Sequence, residues 1–173
     1  MTHELSELSR WIAVRQCEGR EVEVTADAAE RDRLAERFDL VSVESLEATV
    51  VLHRKDAVVS AEGRLHAKIV QSCAISGEDL PVSIDEALTM RFVPESEAEE
   101  ASFDEEIELD ADDCDEITYT GDRFDLGEAV AQSLAVAIDP YATGPNADQV
   151  RKDIGLEEPE KENPFAALKD LGN

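Results

Sequence analysis

Basic residues are scarce in this chain. It carries 16 Lys and Arg against 42 Asp and Glu, a formal net charge of −26 over 173 residues. Such a field repels phosphate backbones and anionic membrane surfaces at long range and attracts basic proteins. The same acidity would also serve plain solubility or a salt-loving host. Long apolar runs are missing too: none approaches the ~20 residues needed to cross a bilayer. The start, MTHELSELSRW, lacks the basic-then-apolar order of a signal peptide. A soluble, cytoplasmic, monomeric protein with no membrane contact is therefore expected. The three cysteines, Cys17, Cys73 and Cys114, are odd in number and far apart. That excludes a disulfide framework or a zinc cluster by spacing and fits reduced thiols. Aromatics are only 5% of residues, so the core must rest on the Leu, Val, Ile and Ala that make up much of the 42% hydrophobic content.

Recognisable chemistry is equally thin. No Gly-rich phosphate loop is present. The run DADDCDE suggests calcium, but Cys114 stands at the fifth position and Asp115 where an EF-hand needs glycine. The histidines are His3, His53 and His66, and none has a neighbouring nucleophile in sequence. With 42 carboxylates, no general acid can be singled out. Cys73 is the one thiol in a suggestive setting, at a strand end before a Gly-containing turn. As a nucleophile it would need a base or a helix N-terminus beside it, and a small packed thiol is the simpler reading. The basic residues Arg10, Arg15, Arg54, Lys55, Arg64 and Lys68 are isolated, although some could gather on one sheet face. An enzyme is not expected, and no cofactor or metal is called for.

Periodicity is more informative. SRWIAVRQC reads as a first short strand, and VTADAAERDRLAERFDL as a helix over about 26–38, capped by Thr25 or Asp27. Three alternating runs follow. Leu46, Ala48, Val50 and Leu52 share one parity, as do Val59, Ala61, Leu65, Ala67 and Ile69, and then Val82, Ile84, Leu88, Met90 and Phe92. With RKDA as a hairpin loop, these predict an antiparallel sheet with one solvated face. The composition then changes. No Lys or Arg occurs between Phe92 and Asp122, and residues 95–116 hold 13 acids. A mobile acidic stretch over about 95–120 is expected.

Order returns at DRFDLGEAVAQSLAVAIDPY. Asp125 and Glu128 resemble a capping box, Leu126, Val130, Leu134, Ala137 and Ile138 form a stripe, and Asp139-Pro140 stops the helix. Residues 142–162 read as an acidic connector with a short helix near DQVRKDI. In the closing NPFAALKDL, Asn163 is a good N-cap and Pro164 suits the first helical position. Phe165, Leu168 and Leu171 then fall on one face of a helix too short to stand alone. The expected organisation is a single α+β domain over 1–141, an antiparallel β-sheet covered by two or three helices, followed by the connector and a C-terminal helix at 163–173. That helix would pack on the domain or on a partner.

Taken together, four features resemble the YceD family of large ribosomal RNA subunit accumulation proteins, in its alphaproteobacterial-type branch. They are the alternating region ending in IVQSC at Cys73, the run MRFVPESEAEE, the FDLGEAVAQSLAVAIDPY helix and the terminal NPFAALKDL. The family motif residues would be Cys73, Asp125, Leu126, Pro140, Asn163, Pro164, Phe165 and Leu168. Many relatives carry a Cys-x-x-Cys pair where this chain reads Cys73-Ala74-Ile75-Ser76, and some carry a later cysteine absent from PYATGPNADQ. Any metal held by those cysteines would lack its ligand set here. The resemblance implies a non-catalytic ribosome-biogenesis factor supporting 23S rRNA accumulation. Its partner would be a large-subunit precursor or a basic ribosomal protein, with direct RNA contact left open. The alternative is an acidic nucleic-acid mimic or inhibitor module binding a basic protein.

Overall fold

The computed structural model describes residues 6–96 and 115–155. Three long strands form its centre: β3 (Ser42–Lys55), β4 (Val58–Ser72) and β5 (Asp79–Pro94). Their inward parity is the alternating set read from the sequence. Leu46, Ala48, Val50, Leu52, Val59, Ala61, Leu65, Ala67, Ile69, Ile84, Leu88, Met90 and Phe92 are all buried, and Val82 is half-buried against them. The β3–β4 hairpin is tighter than RKDA suggests. Lys55 pairs with Val58, leaving only Asp56 and Ala57 to turn. Asp56 does so with φ 57°, a left-handed conformation that Asp tolerates better than most residues.

β2 (Arg20–Thr25) pairs antiparallel to β3 and closes one edge. Its sequence, REVEVT, alternates, but it was too short and too charged to read as a strand alone. The other edge is β6 (Asp115–Tyr119), which runs parallel to β5. The five-stranded order β2-β3-β4-β5-β6 is thus antiparallel except at this last pair. Gly63 sits opposite Val50 on the inward parity of β4. A Cβ there would lie 1.9 Å from the Thr49 carbonyl oxygen, a backbone atom that cannot move aside, so the strand needs glycine at that point.

One face of this sheet is covered. α1 (Ala28–Arg37) packs against β3 and inserts Leu34 and Ala35 into the core. Asp27 is its N-cap, in a complete capping box with Glu30. The N-terminal segment also packs inward, burying Leu8, Ile12, Val14 and Cys17. It forms β1 (Trp11–Ala13) and then one 3-10 turn over Val14–Gln16. β1 pairs not with the main sheet but with β7 (Arg123–Asp125), in a separate two-stranded sheet. β7 leads straight into α2 (Leu126–Ala137), which buries Leu126, Val130 and Leu134 over the sheet. The rings of Phe92 and Phe124 stack at 4.0 Å between centroids and join sheet to helix entry. α3 (Ala147–Asp153) is the short helix expected near DQVRKDI.

Candidate functional site

Asp125 and Leu126 mark the start of α2. The Asp125 carboxylate accepts three backbone N–H bonds through Oδ1: from Arg10 at 2.7 Å, Gly127 at 3.0 Å and Glu128 at 3.2 Å. Glu128 does not return the bond that would complete a capping box. It turns instead to Arg37 of α1, whose Nη2 donates to it at 2.8 Å, and to the Ser6 hydroxyl. Arg37 also meets Glu7 at 2.7 Å, so one guanidinium ties both helices to the N-terminal segment. A second tie runs from Arg10 to Glu30, at 2.7 and 2.9 Å, and holds the Glu30 carboxyl below the usual carboxylate range. These residues secure the fold rather than present chemistry.

The turn that begins at Cys73 meets the segment around Pro140 at the opposite end of α2. Cys73 follows β4 and opens a turn closed by Cys73 N–H to Glu78 O at 2.7 Å and Gly77 N–H to Cys73 O at 3.0 Å. The segment after Pro140 crosses this turn. Ala74 N–H donates to Ala142 O at 3.0 Å, Gln71 Nε2 to Asp139 O at 2.7 Å, and Asn146 Nδ2 to Glu78 Oε1 at 2.6 Å. The Cys73 sulfur accepts the N–H groups of Ser76 and Gly144, each at 3.3 Å. Hydrogen bonding from the Ser76 side chain, and then from the N–H groups of Gly144, Ser76 and Ile75, pulls this thiol down to about 6. Burial pushes the other described thiol, Cys17, upward.

Cys73 and Ser76 thus lie together with the loop around Gly144. The groups gathered there do not suit a metal. One soft donor is left, two N–H groups already point at it, and the Ser76 hydroxyl is engaged with Glu78 at 2.9 Å. Among the described residues no group of three or more His, Cys, Asp or Glu could hold an ion. No described helix is long and apolar enough to cross a membrane.

A third feature was not read from the sequence. Ala129, Gln132, Ser133 and Val136 lie at helical spacing on a second face of α2, beside the buried stripe. They form one wall of an open groove whose other side is Met90 of β5 and Ile117 of β6. This middle stretch has a cavity volume of about 280 Å³. One end reaches Glu86, Leu88 and Ala137, the other Trp11 and Tyr119. The rim is acidic, with Glu86, Asp115 and Glu116 along it. Its one sequence signal is Val136, an apolar residue off the main stripe, which stands 87% exposed.

The sheet's outer face carries mixed charge. Arg64 and His66 of β4 both face Asp85 of β5, at 2.8 and 3.5 Å, and Arg91 meets Glu116 at 2.9 Å. Two arginines that might have built a basic patch are thus paired. Of the motif residues expected from the sequence, Cys73, Asp125, Leu126 and Pro140 fall into two clusters at opposite ends of α2. Asn163, Pro164, Phe165 and Leu168 lie outside the described residues, as do Leu171 and most of the acidic stretch, 97–114.

A small α+β protein is thereby defined, with an acidic surface, no evident metal centre among its described residues, and an open groove. It belongs to the YceD family: the family model described as large ribosomal RNA subunit accumulation protein YceD matches residues 61–172, well over half of the chain. The family name implies a role in accumulation of large-subunit ribosomal RNA. No curated protein and no solved structure matches the chain.

Proposed function

We propose that this protein supports accumulation of 23S rRNA as a non-catalytic assembly factor, acting in the cytoplasm by contact with a basic ribosomal protein or with an assembling large-subunit particle. The observation that carries the ribosomal part is the family match over residues 61–172. The choice of protein over RNA as the direct contact rests on charge. A net −26 opposes approach to phosphate, and on the sheet's outer face Arg64 and Arg91 already engage Asp85 and Glu116. A basic ribosomal protein meets phosphate charge in the finished subunit, and carboxylates can stand in for it before assembly.

The test is a tagged pull-down of the full chain from its native host, with and without ribonuclease, quantifying large-subunit RNA and proteins. Large-subunit proteins that stay bound after ribonuclease, and that elute as salt rises, are the expected result. Loss of all enrichment on ribonuclease treatment would assign the contact to RNA. Recovery of a basic nucleic-acid enzyme without ribosomal components would favour the mimic reading instead.

A further inference from the structure

We propose that the groove between α2 and the β5–β6 edge is the seat of this chain's own C-terminal segment, residues 163–171, with Phe165, Leu168 and Leu171 filling it. This does not rest on the ribosomal reading. The groove is too open to enclose a small molecule, which needs a pocket that covers most of its surface. Its half toward the α2 C-terminus has Leu88 and Met90 on the sheet side and Ser133 and Val136 on the helix side. That is an elongated, mainly apolar trough suited to one face of a short helix.

Charge sorts the candidate occupants. Besides the first five residues, two stretches of this chain lie outside the described residues, 97–114 and 156–173. The first holds ten acids and no base, so Glu86 and Asp115 on the rim would repel it. Residues 163–173 hold one Lys and one Asp, Lys169 and Asp170, and three apolar side chains at helical spacing. This second stretch can enter without that cost. A helix of two turns is marginal alone, and packing of its apolar face is what would stabilise it.

Reach also fits. Asn146 bonds Glu78 at 2.6 Å, so α3 starts beside the start of β5. The near end of the groove, at Glu86 and Leu88, lies eight to ten residues further along that strand, about 26–33 Å at ~3.3 Å per residue. The ten residue steps from Ile154 to Pro164 span up to ~33–36 Å when extended. From Asn146, α3 adds up to ~12 Å to this, so the chain's reach covers the Val136 half of the groove.

The test is methyl NMR on the full chain, following Met90, Ile117 and Val136, with Val51 on the outer face as control. In the wild type, these groove methyls should show contacts to the Phe165 ring at every protein concentration. Phe165→Glu with Leu168→Glu should abolish the contacts and shift the groove methyls while leaving Val51 in place. Val136→Glu, at an exposed position, should release the segment without unfolding the domain, and Leu168 should then take random-coil shifts. Groove methyls indifferent to the tail substitutions would overturn the proposal. So would contacts that grow with concentration, which would mean a second copy. A response to Ile107→Glu with Leu109→Glu instead would give the groove to the acidic stretch, and a response only on adding large-subunit particles would give it to a partner.

Discussion

Cys73 shows how one side chain's chemistry is set by backbone brought from far away. Gly144 lies 71 residues on, and its N–H completes the sulfur's hydrogen bonding. With the thiol near 6, the thiolate predominates at neutral pH. A depressed folded value means that the contribution to stability is fully present above the unfolded thiol value, ~8.5, and is lost as pH falls through about 6. The melting temperature of the wild type relative to Cys73→Ser should therefore rise between pH 6 and 8.5. Thiolate absorbance of the folded protein should show one cysteine titrating near 6. The Ser76 hydroxyl has one proton, and Glu78 competes for it. Ser76→Ala should move the midpoint upward, and an unmoved midpoint would leave the control to the backbone N–H groups alone.

At the scale of the element, α2 depends on what meets its first turn. Asp125 caps it and also receives the N–H of Arg10, the residue before β1. Asp125→Ala should cost at least the ~1–2 kcal/mol of a lost cap in denaturant unfolding, and Asp125→Asn clearly less. Gly127 gives a sharper test. In an isolated helix, Gly→Ala is favourable by ~1 kcal/mol. Here a Cβ would lie 2.5 Å from Leu8 O and 2.7 Å from Arg10 N. Gly127→Ala should therefore destabilise, by ~1–3 kcal/mol as overpacking usually does. A stabilised variant would mean that the N-terminal segment sits further from α2 than described.

For the whole molecule, charge is the dominant variable. The ion pairs of Arg64 and Arg91 are half-exposed, and such pairs contribute ~0–1 kcal/mol each. Self-repulsion of 26 net negative charges acts on the entire compact state. Screening should relieve more than it weakens, because the Debye length falls to ~10 Å by 0.1 M salt. The melting temperature should rise as salt increases from ~0.02 to ~0.3 M, over the range of that screening. A fall would show that the ion pairs outweigh the repulsion. The same salt should weaken contact with a basic partner, so stability and binding are expected to move in opposite directions.

The sequence by itself determined the three long strands, their inward parity, both core-facing helices and the stop at Pro140. Each of these is a local pattern: alternation, helical spacing, a cap or a proline. The family was legible for the same reason, since its motifs are contiguous. Pairing was not. REVEVT becomes a strand only because β3 offers it an edge, and WIA pairs with RFD across more than a hundred residues. The parallel placement of β6, the turn of Glu128 away from its cap toward Arg37, and the groove beside Val136 all depend on side chains distant in sequence. The convergence of Cys73 with the loop after Pro140 is of the same kind. Tertiary structure alone decided these, because hydrogen bonds and charges choose among partners that a linear pattern cannot rank.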